Sequence, residues 1–261
     1  MEIKSCSIRI VIKNEFVFEE SILKWLEEAP SFEVSSFLIE DRKFVNPIAW
    51  DKDLFHTFFI KEWSKKPPVF IKFMDNNQNK IMFGKGKNNS SIIIDVVDPN
   101  ASVTAWIEYT KTFFENDNKA IVACIYPKGD YFWQMNLDPD RYESAGKSLE
   151  NLELKPFSQT MSTIDPKSLP GYANYIDDIW FGSTWIMIFG QKYFEFISQS
   201  RLQSYPNAFA IEVLENETIF VKLFENLEDY DTLEARKIQF DFRNYIDRDE
   251  LVKRLRKLYL E

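Results

Sequence analysis

The chain is poor in the residues that most often do chemistry. It has one histidine, His56, and two cysteines, Cys6 and Cys124. Ser-His-Asp or Cys-His catalysis would have to pass through His56, and no Gly-x-Ser-x-Gly elbow accompanies any serine. One histidine and two scattered cysteines also make no transition-metal site of ordinary spacing. His56 sits among bulky apolar residues, in Leu54-Phe55-His56-Thr57-Phe58-Phe59, and reads as a packed or partly exposed side chain. Each cysteine lies in an apolar run of strand type, which points to buried free thiols, although a Cys6–Cys124 disulfide stays open at this level.

Glycine is also scarce, at 7 residues. The one Gly-rich run, Gly84-Lys85-Gly86-Lys87, leads into Asn88-Asn89-Ser90-Ser91 and an Ile-rich segment. A phosphate loop needs a helix N-terminus there, so the run reads as a turn. No apolar stretch approaches the about 20 residues of a membrane span, and the N-terminus lacks a signal-peptide apolar core. The expectation is a protein of the cytoplasm with no membrane partner. Basic runs are short and the formal net charge is -9. Nucleic-acid binding requires clustered Lys and Arg, and an acidic surface instead attracts basic partners.

What is abundant is ring and carboxylate. Of 261 residues, 45% are hydrophobic, 28% charged and 16% aromatic. That is a globular composition with a sizeable core and with rings to spare for an interface.

Periodicity predicts strands over 6–12, 32–39, 69–74, 80–83, 91–97 and 120–126, and helical stripes over 18–28 and 53–63. Asp98-Pro99 reads as an N-cap with proline at the first helical position, opening a helix that carries Val103, Trp106, Ile107, Phe113 and Phe114. Residues 142–167 are polar and aperiodic, as in a linker or long surface loop. Further strands are expected over 184–189, 208–214 and 218–224, with a brief helix over 192–197. Asp247-Arg248-Asp249-Glu250 resembles a capping box before a final helix with Leu251, Leu255 and Leu258 on one face. Hairpins dominate, without βαβ alternation. The fold class is therefore α+β, with mainly antiparallel sheets and packed helices. Two similar-sized lobes, 1–141 and 168–261, are expected about the 142–167 segment, the alternative being one continuous domain.

Carboxylate pairs occur at Asp95/Asp98, Asp138/Asp140 and Asp177/Asp178. Such pairs can hold magnesium or share acid/base work, but none has a supporting motif, so no catalytic residue, metal or other cofactor is assigned. The densest acidic stretch, 212–234, includes Glu225, Glu228, Asp229 and Asp231 with Tyr230 among them. Carboxylates beside rings suit docking of a basic protein; the alternative is a solvated hairpin face. A second cluster joins Asp177 and Asp178 to Trp180, which precedes Gly182 near a bend and is a candidate for exposure; the alternative is a ring in the core or anchoring a loop.

The run Ile179-Trp180-Phe181-Gly182-Ser183-Thr184-Trp185-Ile186-Met187-Ile188-Phe189-Gly190-Gln191-Lys192-Tyr193-Phe194 carries a resemblance, continued by Leu223-Phe224-Glu225 and Ala235-Arg236-Lys237-Ile238-Gln239-Phe240-Asp241-Phe242-Arg243. It resembles the C-terminal half of immunity proteins found beside bacterial polymorphic toxins, immunity protein family 52 or a relative, over about residues 165–250. The resemblance is aromatic and structural, and it transfers no binding residue. It implies a cytosolic protein that neutralises a cognate toxin by occluding its active surface. The residues expected to meet a basic toxin are Glu225, Glu228, Asp229, Tyr230 and Asp231, then Asp177, Asp178 and Trp180. A carboxylate-dependent hydrolase and a non-enzymatic adaptor are the competing readings.

Overall fold

The fold is described from a computed structural model, which covers residues 5–39, 46–98, 101–115 and 120–259. In chain order the first part runs β1 (Cys6–Lys13), α1 (Glu19–Glu28), β2 (Ser36–Ile39), β3 (Ile48–Ala49), α2 (Lys52–Trp63), β4 (Val69–Met74), β5 (Lys80–Lys85), β6 (Asn89–Val96), α3 (Val103–Thr112) and β7 (Ala120–Pro127). There follow α4 (Lys128–Met135), α5 (Pro139–Ser144), β8 (Leu154–Pro156), β9 (Ser162–Ile164), β10 (Asn174–Ile176), β11 (Ile179–Phe181) and β12 (Ile186–Phe189). The chain ends with α6 (Gln199–Gln203), β13 (Ala210–Val213), β14 (Ile219–Lys222), α7 (Leu233–Tyr245) and α8 (Arg248–Tyr259).

Among the described residues, ten strands form one sheet in the order β13-β14-β12-β7-β1-β6-β5-β4-β2-β3. Every pairing in it is antiparallel. The protein is thus α+β, as its hairpin-rich pattern predicts. β7 pairs with β1 on one side and with β12 on the other. Residues on either side of the 142–167 segment therefore share one sheet and one continuous core.

Alternation along β1 sorts the two faces. Ile8 and Ile10 stand beside Ile94, Ile92, Ile125 and Ala123, and Arg9 stands beside Ile93 and Cys124. The isoleucine face receives the first three helices. Trp25 of α1 lies against Phe83 and Phe113, and Phe55 of α2 against Phe37 and Phe73. The opposite face carries α4, whose Tyr131 stacks on Tyr126 at 4.8 Å, and α7, whose Phe242 lies over Phe189 at 6.5 Å. Cover on both faces explains why all eight residues of β7 are buried and read as an unbroken apolar run. Each fully buried large side chain in such a core contributes roughly 1.5–3 kcal/mol.

Cys6 and Cys124 are buried free thiols on opposite faces of the sheet, and burial pushes each up to about 12. Two local expectations change. α3 is capped by Ser102, whose hydroxyl accepts from the Ala105 amide at 3.3 Å, and not by Asp98. Pro99, expected as its first residue, lies outside the described residues. The 142–167 segment also contains structure: β8 and β9 pair, and Tyr142, Ile164 and Leu169 form a small core of their own. Among the described residues, no helix is long and apolar enough to cross a membrane.

Candidate functional site

After β14 the chain leaves the sheet with Leu223 and Phe224 still buried. It then makes a short 3-10 turn over Leu227–Asp231 and enters α7, where the Thr232 hydroxyl accepts from the Ala235 amide at 3.2 Å. Leu227 is buried and pins the turn, leaving Glu225 and Glu228 exposed. The Asp229 carboxylate is turned inward to the loop, accepting from the Asn226 backbone and side-chain amides at 3.3 and 3.1 Å. Leu233, the first residue of α7, is 80% exposed.

Asp231 begins a chain of ion pairs that runs inward. It accepts from Lys147 at 2.9 Å and from Arg236 at 3.1 Å, and Arg236 donates in turn to Asp130 at 2.5 Å and to Gln239 at 3.1 Å. The Arg236 guanidinium also lies 5.7 Å from the centre of the Tyr230 ring. Burial pushes the Asp130 carboxyl above its ordinary value even with Arg236 beside it. Burial works in the same sense on Asp231, but hydrogen bonds from Lys147 and Arg236 outweigh it and hold that carboxyl below its ordinary value. Asp231, Leu233 and Arg236 border a cleft of about 740 Å³ whose walls include Trp133, Tyr142 and Phe240. Of the acidic segment expected to face a partner, Glu225 and Glu228 thus lie at the surface, whereas Asp229 and Asp231 are tied into the protein.

The second predicted cluster is built differently. Asp177 and Asp178 are the two central residues of the β10–β11 hairpin, with φ of 53° and 64°. Both lie in the left-handed region that two-residue hairpins require and that Asp tolerates. Asp178 accepts from the Asn88 amide at 3.2 Å and from the Asn89 amide at 3.5 Å; Asp177 accepts from the Asn88 side chain, and its carbonyl from the Asn89 side chain at 2.9 Å. The Gly84-Lys85-Gly86-Lys87 run therefore leads into a β5–β6 turn that cradles a carboxylate of its own chain. A Cβ at Gly86 would stand 2.5 Å from both the Asn89 carbonyl oxygen and the Asp178 carboxylate, so no side chain fits there.

Trp180 takes the core alternative and not the partner-facing one: it is 2% exposed. Its ring folds back over Gly182, where a Cβ would stand 2.5 Å from the indole. The glycine that suggested a bend marks close packing instead.

The remaining carboxylate pairs have structural partners. Asp95 accepts from Ser7 at 2.6 Å and from Lys128 at 2.9 Å, and Asp138 caps α5 by accepting from the Asp140 amide at 3.0 Å. His56 is exposed and paired with Glu19 at 2.7 Å. Among the described residues, no three His, Cys, Asp or Glu side chains come together as a metal-binding group. Sequence reasoning missed Asp130, Lys147, Leu233 and Arg236. The Asp130–Arg236 pair spans 106 residues and has no local signature. Leu233 stood in plain view between acidic residues.

No protein-family model and no curated protein matches this chain.

Proposed function

We propose that this chain is a toxin-neutralising binding protein that docks a basic protein on the 225–234 surface. One observation carries the reading. Leu233, the most exposed large apolar side chain among the described residues, follows Glu225, Glu228 and Asp231 and precedes Glu234. An apolar anchor flanked along the chain by exposed carboxylates suits a cationic protein surface: the acids steer the encounter, and desolvation of the leucine holds the complex. The adjoining cleft, walled by Trp133, Tyr142 and Phe240, gives a protruding apolar side chain of the partner a place to enter. The resemblance to immunity proteins supports the toxin as the class of partner. Asp177, Asp178 and Trp180 leave the proposed interface, since two are engaged in a turn and the third is buried.

The test is co-purification from the native cell with identification of the bound protein, followed by association kinetics on the Glu225→Lys, Glu228→Lys, Glu234→Lys triple variant. The partner should carry a basic surface. Association should slow by about tenfold at low ionic strength, with the difference shrinking as salt rises. Leu233→Ala should act on dissociation instead. Unchanged rates in a folded triple variant, or an acidic partner, would remove this surface.

A further inference from the structure

A second cleft, independent of the proposed interface, lies on the other side of the sheet from the isoleucine face. Its floor is Arg9 in the middle of β1, between Ile93 and Cys124 on the neighbouring strands. Arg9 is partly buried, and an arginine withdrawn from water is usually paired with a carboxylate. Arg9 is not: among the described residues no ion pair or hydrogen bond reaches its guanidinium, and its Nε is buried without an acceptor. The nearby acid, Asp95, is already taken by Lys128 at 2.9 Å and Ser7 at 2.6 Å. What surrounds the guanidinium is phenol. It lies 4.8 Å from the Tyr175 ring and 5.9 Å from the Tyr131 ring, whose hydroxyls hydrogen-bond each other at 3.0 Å. Burial raises the Tyr126 and Tyr175 phenols far above their ordinary value, so neither supplies a countercharge.

A second buried donor borders the same cleft. Asn136 Oδ1 accepts from the Asp138 amide at 3.1 Å, which fixes the orientation of the side-chain amide, and its Nδ2 is left without an acceptor. Buried donors lacking acceptors are rare in folded proteins and point to an acceptor that the chain does not contain. Beside these two donors the open cleft offers about 460 Å³, a size suited to a small molecule, and Tyr131, Phe132, Met135 and Ile93 supply apolar walls.

We propose that this cleft binds a small organic carboxylate with a flat apolar body. The planar guanidinium fork matches the two oxygens of a carboxylate, the paired tyrosine rings hold that fork in place, and the rings and Met135 cover the ligand's hydrocarbon part. An inorganic anion would use the donors but leave the apolar walls wet.

The experiment is calorimetric titration of the full chain with sodium benzoate, benzamide and inorganic phosphate. Benzoate should saturate one site and bind at least about tenfold more tightly than either benzamide or phosphate. Arg9→Gln should lower the benzoate affinity by about tenfold or more, and Arg9→Lys should lower it less, since lysine keeps the charge without the fork. The Arg9 Nε–H resonance, assigned by its disappearance in Arg9→Lys, should shift with benzoate. Should Arg9→Gln fail to fold, Asn136→Asp replaces the argument: it keeps the acceptor for the Asp138 amide, exchanges the free donor for a negative charge, and should weaken benzoate. No saturable binding of benzoate, equal binding by benzamide or phosphate, or undiminished affinity in the folded variants would overturn the proposal and leave water as the acceptor at this site.

Discussion

The two acidic regions of this protein, the Asp177–Asp178 turn and the 225–234 segment, are alike in composition and opposite in what their carboxylates do. In the turn, left-handed backbone at both positions brings the side chains back onto the amides of Asn88 and Asn89, so the charge is spent within the fold. In the segment, buried Leu227 fixes a short 3-10 turn whose outer side carries Glu225 and Glu228, while Asp231 alone connects inward to Arg236. Backbone conformation and the neighbours it reaches decide whether an acid is available to a partner, and the density of acids in the sequence does not.

The sharpest way to break that comparison is to remove the anchor beneath the exposed segment. Arg236→Met leaves Asp130, whose side chain is 3% exposed, without its cation. Removing one partner of a buried pair costs about 3–5 kcal/mol. An independent bound agrees, since protonating a carboxyl of ordinary pKa at pH 7 costs about 4 kcal/mol. Urea denaturation should show a loss of this size, and the Asp130→Met, Arg236→Met double variant should recover most of it. A loss under about 1 kcal/mol would mean that the pair is solvated.

The turn should respond more weakly. Asp178→Ala forces an alanine into left-handed backbone and removes the acceptor from two amides, for a combined loss of about 2 kcal/mol. Asp178→Gly restores the backbone freedom and should lose only about half as much. Calorimetric melting of the two variants separates the contributions. Equal losses would mean that the carboxylate alone matters, and no loss in either would return Asp178 to the pool of available surface acids.

These outcomes bear on what could be read from the sequence. Strands β1, β4, β5, β6 and β7 and helices α1 and α2 were legible because their signals are local: alternation, a 3.6-residue stripe, a turn of five polar residues. The order of the sheet was not, because β1 lies between β6 and β7, whose facing residues are 76 or more positions away in the chain. At the site, Glu225 and Glu228 lie at the surface as a polar run suggests, but nothing in that run distinguishes them from Asp229 and Asp231, which are tied into the protein. The engagement of Asp178 was not legible either, since its partner is 90 residues distant. Trp180 misled because a glycine two residues on signals either a bend or a close approach, and only the packed ring distinguishes them. Ser102 takes the α3 cap in place of Asp98 because both residues carry cap chemistry and lie only four positions apart.

The smallest effect tests whether Asp231 belongs to the fold or to the surface. Its carboxyl is held below the ordinary value because hydrogen bonds from Lys147 and Arg236 outweigh the opposing effect of burial. The folded protein thus binds this proton less tightly than the unfolded chain does. The stabilisation is complete above the unfolded value, near about 4, and drains away as pH falls through the lower folded value. Asp231 is 54% exposed, so solvent screens the pair and the contribution at pH 7 should stay below about 1 kcal/mol. Asp231→Asn should therefore be slightly less stable than the parent at pH 7, and the two stability curves should converge as pH falls below about 4. The acid limb should not vanish, because Asp249, held low by Arg243 and Arg248 against the effect of burial, is present in both proteins. Curves that stay parallel at every pH below about 4 would place Asp231 with Glu225 as a carboxylate whose charge the fold does not use.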